Sequence, residues 1–232
     1  MQPFLHDKVF EPNLSISVGF NFIGEMPLIV VDDIFKNFDD IRNIVLNSPI
    51  GNWKYDPNGF NFKDYYDCRV SFPPLQKKLY KLTQEIICKT LNKNTLISDG
   101  LNLNWFKQIK EKRANYAFPH HDKISDNLSF TCLIFLNTKN ESSGGTAFFK
   151  NKVTNNVYEF KDDDFFNKYP DAVENGYDYW APEKYWEMIA FAEMIPNRLI
   201  IFPSNYYHAA YHPENTFYND PRLTIAYWME QT

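Results

Sequence analysis

The sequence has 232 residues, of which 44% are hydrophobic and 18% aromatic, and its formal net charge at pH 7 is -5. A chain of this length and composition can fill the core of one domain, which argues against global disorder. Because it has no basic arm and no Lys/Arg stripe, nucleic acid is not expected as a main partner.

The cysteines and the N-terminus both indicate a cytoplasmic location. Cys68, Cys88 and Cys132 are odd in number and far apart, which is typical of thiols in a reducing compartment. The first residues carry no basic region followed by an apolar run, so no signal peptide is predicted. No apolar run approaches the ~20 residues that a membrane span needs.

Residues 1–95 are predicted to form a helical and strand-containing support. The stretch "MPLIVVDDIF" at 26–35 predicts a strand that leads into a helix capped by Asn37. The apolar stripe of this helix comprises Phe38, Ile41, Ile44 and Val45. A second helix is predicted after Pro73 and Pro74. Its apolar face comprises Leu75, Leu79, Leu82 and Ile86.

From about residue 96 the pattern changes to the period of two that is typical of strands. Alternation at Leu101, Leu103 and Trp105 predicts the first strand. Further candidates are 128–137, 146–150, 156–160, 198–202 and 222–229. Helices followed by short strands predict an α+β chain whose second half, 96–232, is an all-β barrel or sandwich.

Two segments interrupt the strand spacing. Residues 161–190 are acidic and aromatic, and they are predicted to be either a lid over a site or a surface excursion whose aromatic rings pack down. Gly144 and Gly145 predict a hairpin with positive φ between the strands on either side. The alternative is that they let the adjoining strands approach closely near the site.

A metal site is predicted around "FPHHDK" at 118–123. Residues two apart on a strand face the same side, so His120 and Asp122 can reach one ion while His121 points away. His208 follows an apolar strand and a Pro-Ser-Asn turn and is the preferred third ligand, with His212 as its rival. Two imidazoles and one carboxylate form the facial triad that non-haem Fe(II) oxygenases use, because it leaves coordination positions open.

The chain resembles the 2-oxoglutarate/Fe(II)-dependent oxygenase superfamily, and within it the prolyl-hydroxylase-like branch. The resemblance is carried by these segments: "PHHD" (119–122), "FLNTKNESSGGTAFF" (135–149), "NRLIIFPSNYYHAAYHP" (197–213) and "RLT" (222–224). The opening "LIVVDDIFKNFDDIRNIVL" at 28–46 is similar to the N-terminal segment of small bacterial and phage members.

The resemblance implies a single domain over 1–232 whose core is a double-stranded β-helix, or jelly roll, buttressed by the N-terminal helices. It implies that His120, Asp122 and His208 bind Fe(II) and that dioxygen and 2-oxoglutarate are co-substrates. Arg222 would form a bidentate salt bridge with the distal carboxylate of 2-oxoglutarate, and the Thr224 hydroxyl would add a hydrogen bond.

The expected reaction is hydroxylation of an amino-acid or peptidyl substrate, prolyl residues among them, with release of succinate and CO2. The carboxylate of Asp122 favours hydroxylation over halogenation, because halogenating relatives lack it. Three departures from the family pattern bear on the substrate. Arg222 lies 14 residues after His208, which is a wide gap. This branch commonly has lysine at that anchor. The tyrosine usual before the HxD pair has no clean match, since Tyr116 and Phe118 are both near.

Two alternative functions are considered. One is a cupin-like jelly roll that binds a metal and binds or isomerises a small molecule without oxygenase activity; it would not need Arg222. The other is a catalytically inactive interaction domain, and the intact candidates at all four key positions count against it. Within the oxygenase interpretation, Arg198 and Lys107 are the alternative anchors for the keto acid.

Overall fold

A computed structural model describes residues 11–47, 73–92, 104–108, 119–122, 129–158, 165–169, 183–211 and 222–230. The strands are β1 (Val18–Ile23), β2 (Met26–Val31), β3 (Asn104–Gln108), β4 (Ser129–Phe135), β5 (Gly145–Asn151), β6 (Trp186–Glu193), β7 (Leu199–Pro203), β8 (His208–Tyr211) and β9 (Arg222–Glu230). The helices are α1 (Phe38–Asn47), α2 (Pro73–Leu91) and the single turn α3 (Phe165–Lys168).

The strands form two antiparallel sheets. The larger sheet has six strands in the order β1-β2-β7-β4-β9-β3, and the smaller has three in the order β6-β5-β8. In the larger sheet Cys132 of β4 lies between Ile201 of β7 and Tyr227 of β9. Side chains alternate across this sheet, so β2, β4 and β7 each contribute to two separate layers.

One face of the larger sheet packs against α1 and α2. Both helices and the four strands β2, β4, β7 and β9 contribute to this cluster, whose members include Ile41, Leu79, Ile86, Cys132, Ile201, Ile225 and Tyr227. The Thr83 hydroxyl of α2 is 2.6 Å from the Tyr227 hydroxyl of β9, so a buried hydrogen bond accompanies the apolar contact. The amphipathic helices thereby cover the sheet face that water would otherwise reach.

The other face of the larger sheet meets the smaller sheet. Phe202 of β7 packs against Phe148 of β5 with ring centroids 5.0 Å apart, and Leu28, Met194 and Ile200 complete this inner layer. The far side of the smaller sheet carries a third cluster of Ala147, Phe149, Phe165, Tyr185, Trp186, Tyr207 and Ala209. The space between the sheets is where inward-facing polar side chains can meet.

The predicted strands at 128–137, 146–150, 198–202 and 222–229 correspond to β4, β5, β7 and β9. The strand predicted at 156–160 is not observed among the described residues, where Tyr158 makes only an isolated bridge to Tyr206. Asn37 precedes α1 and its carbonyl accepts the Ile41 N–H, but its side-chain Oδ1 accepts the N–H of Glu11 at 3.3 Å instead of the predicted cap bond.

The predicted interruption at 161–190 overlaps a strand that the sequence pattern did not reveal. Residues 186–190 belong to β6, which pairs with β5 through a register shift between Phe148 and Phe149. Phe165, Tyr185 and Trp186 are buried in the third cluster, so the described parts of this segment match the reading in which its aromatic rings pack down.

The prediction of a hairpin at Gly144 and Gly145 is wrong, because β4 and β5 do not pair with each other. β4 pairs with β7 and β9 in the larger sheet, whereas β5 pairs with β6 and β8 in the smaller one. The two glycines therefore lie where the chain crosses between sheets. Gly144 has a φ of 74°, and a Cβ on Gly145 would lie 2.0 Å from the carbonyl oxygen of Ala192.

Within the described ranges no helix is long and apolar enough to cross a membrane. Of the two cysteines in these ranges, Cys132 is a buried free thiol and Cys88 a partly buried one, and Cys68 lies outside them.

Candidate metal centre

Three side chains with metal-ligating atoms meet at one end of the space between the sheets. His120, Asp122 and His208 each offer one atom, and these atoms all lie within 4.8 Å of one another. His208 Nε2 is 3.2 Å from Asp122 Oδ2, and His120 Nε2 is 3.7 Å from Asp122 Oδ1. Two imidazole nitrogens and a carboxylate at these separations can ligate one divalent transition-metal ion.

Backbone hydrogen bonds hold the 119–122 segment against the strands. His120 and His208 exchange two of them, with N···O distances of 3.0 and 2.8 Å. The Asp122 N–H donates to the Ser204 carbonyl at 2.7 Å. This antiparallel bridge brings the two imidazole rings to a centroid separation of 4.6 Å.

His208 is oriented by its own neighbours. Its Nδ1 is 3.0 Å from the carbonyl oxygen of Tyr206. Because a carbonyl only accepts, Nδ1 carries a proton, and Nε2, which faces Asp122, is the nitrogen that can bind a metal. The Phe202 ring lies 4.7 Å from the imidazole centroid, and the residue is only 4% exposed, so the ring has one stable orientation.

The Asp122 carboxylate is kept ionised by its surroundings. The Thr131 hydroxyl donates to Asp122 Oδ2 at 3.1 Å. Burial by itself would raise the pKa of Asp122, but the charges on His208 and His120 outweigh it and lower that pKa well below its usual value. The Trp228 indole N–H also helps to lower this pKa, although no acceptor in the described residues lies within full hydrogen-bond geometry of it.

His121 takes a different direction from its two neighbours. Its ring makes an edge contact with Tyr207 at a centroid distance of 6.4 Å, and Tyr207 belongs to the cluster on the far side of the smaller sheet. His212, the rival third ligand, lies outside the described residues, as do Tyr116 and Phe118.

Arg222 and Thr224 lie on the inner face of β9, in register with Gln108 and Phe135. The Arg222 guanidinium is 5.8 Å from the Phe135 ring centroid, donates to the Gly145 carbonyl at 3.2 Å and is 5% exposed. A buried cation between the sheets suits an anionic ligand. Arg198, one alternative anchor, instead binds both carboxylate oxygens of Asp32 at 2.6 and 2.9 Å; Lys107, the other, is in β3.

The sequence prediction missed two inward-facing polar groups. Thr146 Oγ1 is buried and has no hydrogen-bond partner among the described residues, and Trp228 lies opposite Thr131 beside the Asp122 carboxylate. Thr146 shares the inner face of β5 with Phe148, which pairs with His208. Phe148 lies opposite His208, and Thr146 is two residues before Phe148, so both face the same side of β5. The sequence could have indicated Thr146 only if the pairing of β5 with β8 had been known.

The chain belongs to a family of unknown function, DUF6445, whose model matches residues 13–228. No curated protein matches the sequence. The family assignment therefore brings no activity with it.

Several solved structures overlap with this chain at low sequence identity. A prolyl 4-hydroxylase from Phytophthora capsici has a TM-score of 0.48 and 13% identity over 88% of this chain, which spans 59% of that protein. SnoN, a non-haem α-ketoglutarate-dependent epimerase of nogalamycin biosynthesis, has a TM-score of 0.47 and 13% identity over 88% of this chain and 77% of its own. An N-substituted L-amino acid dioxygenase from Burkholderia ambifaria AMMD has a TM-score of 0.39 and 14% identity over 88% and 82%. Similarity at this level establishes no activity, which has to be argued from the geometry of the site.

Proposed function

We propose that this protein is an Fe(II)- and 2-oxoglutarate-dependent dioxygenase that hydroxylates an amino-acid or peptidyl substrate and releases succinate and CO2. The observation that carries the proposal is the group formed by His120, Asp122 and His208, whose ligand atoms lie within 4.8 Å of one another. We also infer that the two sheets form the double-stranded β-helix of that superfamily.

The donor set fits iron in this role. Imidazole and carboxylate are ligands that Fe(II) accepts, and a face of three protein donors leaves positions for a co-substrate and dioxygen. The depressed pKa of Asp122 keeps the carboxylate ionised, and the Nδ1–H of His208 directs Nε2 inward. The ionised carboxylate can bind a cation directly, and Nε2 of His208 would bind it after the metal displaces the proton on that nitrogen.

When bound, the metal together with 2-oxoglutarate and dioxygen supplies oxidative decarboxylation coupled to hydroxylation. The protein's own residues hold and orient the side chains that would bind the metal. Thr131 fixes the Asp122 carboxylate, and the Tyr206 carbonyl fixes the His208 ring. The apolar inner layer, which includes Phe148 and Phe202, limits the access of water to this end of the space between the sheets.

Arg222 and Thr224 provide the second half of the proposed site. The guanidinium is buried between the sheets and presents a fork of donors that matches a carboxylate, while the Thr224 hydroxyl lies on the same strand face. A five-carbon dicarboxylic keto acid would engage Arg222 with one end and the metal with the other.

Metal and co-substrate binding test the proposal directly. Mn(II), an inert substitute for Fe(II), is titrated anaerobically into the whole chain and followed by electron paramagnetic resonance, and 2-oxoglutarate is then titrated by calorimetry. One Mn(II) should bind the wild type. Each of His120→Ala, Asp122→Ala and His208→Ala should weaken that binding at least ~100-fold, in line with a buried charge pair that loses one partner.

His121→Ala is the matched control, since its ring faces Tyr207, and it should bind Mn(II) as the wild type does. With Fe(II) and dioxygen, a screen of amino acids and peptides should identify substrates that stimulate succinate release. Metal binding without any 2-oxoglutarate binding would overturn the oxygenase assignment and favour the cupin-like alternative.

A further inference from the structure

A pocket of about 440 Å³ is lined in part by the turn that follows β7. It lies between the tip of the β1–β2 hairpin, the C-terminal end of α2 and the turn that follows β7. Its described lining residues are Phe22, Glu25, Pro27, Leu91, Phe130, Tyr158, Pro203, Asn205 and Tyr206. The hairpin and α2 contribute no metal ligand, so the pocket is a site of its own.

The walls of the pocket are aromatic. The Tyr158 and Tyr206 rings are 5.5 Å apart at an interplanar angle of 50°, which forms a corner, and Phe22 supplies a third ring that is 64% exposed. The faces of such rings carry negative charge density and attract cations. Apart from Glu25 and Asn205, the rest of the described lining is apolar: Pro27, Leu91, Phe130 and Pro203.

Among the described lining residues Glu25 is the one charged side chain. It lines the pocket together with the rings of Tyr158 and Tyr206. The pocket therefore combines apolar walls, aromatic faces and a carboxylate, and it offers no fixed cation of its own among those residues.

We propose that this pocket binds an alkylammonium group, in which the apolar stem lies along Leu91 and the prolines and the cationic head lies between the aromatic rings and Glu25. Two sources share this chemistry: the lysine side chain of a peptide and a free aliphatic amine. Binding in this pocket would require neither the metal nor 2-oxoglutarate, so it is independent of the proposed dioxygenase activity.

A ligand in the pocket would lie close to the proposed metal centre, because the turn after β7 lines the pocket and also bonds to two of the proposed metal ligands. The carbonyl of Ser204 accepts the N–H of Asp122, and the carbonyl of Tyr206 accepts the Nδ1–H of His208. Pro203, Asn205 and Tyr206 of the same turn line the pocket. An anchored ammonium group would thus hold its molecule next to the segment that positions two ligands.

Calorimetric titration of the metal-free full chain tests the proposal with defined probes. n-Pentylammonium carries the stem and the charge, while n-hexanol has a similar shape without the charge. Because the cation–π and carboxylate contributions act only on the cation, the wild type should bind n-pentylammonium at least ~10-fold more tightly than n-hexanol. Equal affinity for the two probes, or no saturable binding of n-pentylammonium, would overturn the proposal.

Two exposed positions provide variants that leave the core intact. Glu25→Gln and Phe22→Ala should each weaken n-pentylammonium binding by about threefold to fivefold. Glu187→Gln, an exposed acidic residue on β6, and Phe20→Ala, which contacts Phe22 but does not line the pocket, are the matched controls and should change it less than twofold. A Glu25→Gln variant that binds like the wild type would contradict the role of the carboxylate.

Two further probes distinguish the sources. Nα-acetyl-lysine methylamide presents a lysine side chain in a peptide-like setting, and cadaverine presents a free diamine. Tighter binding of the first would identify a peptide as the ligand, and tighter binding of the second would identify a free amine. Failure of both probes to displace n-pentylammonium would overturn the assignment of the pocket to either source.

Discussion

Arg222 is a buried cation on the inner face of β9. The Phe135 ring lies 5.8 Å from the guanidinium, and the Gly145 carbonyl accepts one of its N–H groups. These contacts hold the guanidinium between the two sheets, where the residue is 5% exposed. Its planar fork of donors has the geometry that recognises a carboxylate, which makes this arginine the candidate anchor for an anionic ligand.

Replacing Arg222 with alanine should therefore weaken 2-oxoglutarate binding at least ~100-fold, because loss of one partner of a buried charge pair costs about 3–5 kcal/mol and 1.4 kcal/mol corresponds to tenfold. Arg222→Lys should be intermediate, since a point charge replaces the fork. Mn(II) binding should survive in both. Calorimetry of the Mn(II) form measures the effect, with Arg198→Ala as the control. An unchanged affinity in Arg222→Ala would show that another group anchors the keto acid.

The Thr146 hydroxyl is buried between the sheets at a position where no described residue forms a hydrogen bond with it. The residue is 1% exposed, and its Oγ1 has no partner among the described residues. A buried unsatisfied hydroxyl lowers stability, so Thr146→Val should raise the free energy of unfolding of the ligand-free protein by about 1 kcal/mol. If the hydroxyl meets 2-oxoglutarate or substrate, the same variant should lose affinity for it.

Chemical denaturation and calorimetry give the two readouts for Thr146→Val. Thr83→Val is the contrast, because the Thr83 hydroxyl is 2.6 Å from the Tyr227 hydroxyl and its loss leaves a buried partner unsatisfied. That variant should be destabilised by about 1–3 kcal/mol. Destabilisation of Thr146→Val as well would mean that its hydroxyl is satisfied in the protein.

Local geometry explains which site residues could be predicted from sequence. His120 and Asp122 are two residues apart in an extended segment, so their common direction follows from backbone alternation alone. Arg222 and Thr224 follow the same rule on β9. Thr146 and Trp228 could not be assigned in this way, because their relevance depends on which strands are neighbours, and strand pairing is decided by contacts far apart in the sequence.

At the level of elements, the crossing between the sheets depends on Gly145. Its α-carbon lies so close to β6 that a Cβ would meet the Ala192 carbonyl oxygen at 2.0 Å and the Met194 nitrogen at 2.9 Å. Both are backbone atoms, so no side-chain rotation relieves the clash. The same residue presents its carbonyl to Arg222.

Gly145→Ala should therefore destabilise the protein by at least ~2 kcal/mol, since overpacking of a fixed backbone commonly costs 1–3 kcal/mol. Gly19→Ala is the matched control: its nearest contact would be the Val30 carbonyl oxygen at an ordinary 3.5 Å. Chemical denaturation of both variants measures the difference. Equal stabilities would show that β6 can move away from β5 at little cost.

A salt bridge between Arg42 and Glu141 joins α1 to the connection between β4 and β5. Arg42 Nη2 contacts both carboxylate oxygens of Glu141 at 2.5 and 2.7 Å, and the Thr138 N–H donates to the same carboxylate at 3.0 Å. Burial alone would raise the pKa of Glu141, but the hydrogen bonds from Thr138 and Arg42 and the charge of Arg42 lower it below its usual value.

The sign of the pH effect follows from that lowered pKa. Stability from the ionised Glu141 is fully present above the pKa of the unfolded state and is lost as the pH falls through the lower pKa of the folded state. A partly exposed pair of this kind contributes about 0.2–1 kcal/mol. Glu141→Gln should remove this contribution near neutral pH and flatten the loss of stability in acid. Denaturation at several pH values measures it, and a wild-type slope in Glu141→Gln would contradict the assignment.

At the scale of the whole molecule, the candidate metal centre lies where separate parts of the chain converge. The 119–122 segment carries two of the candidate ligands and is bonded to β8 and to the turn after β7, while β8 carries the third. The layered α+β arrangement could be predicted from the change in periodicity near residue 96. The partner of each strand could not, and β6 was missed because its exposed Met188 and Phe191 obscure the alternation.

Because the ligands come from parts that separate on unfolding, metal binding should stabilise the whole fold. At a free Mn(II) concentration of 100 times the Kd, the gain in unfolding free energy is about 2.7 kcal/mol. For a chain of this size that raises the unfolding temperature by roughly 5–10 °C. Differential scanning calorimetry should show this shift in the wild type and in Arg222→Ala, which keeps all three ligands, but not in His208→Ala. A shift of the same size in His208→Ala would mean that the stabilising ion binds elsewhere, and His120 and Asp122 would then lose their assigned role.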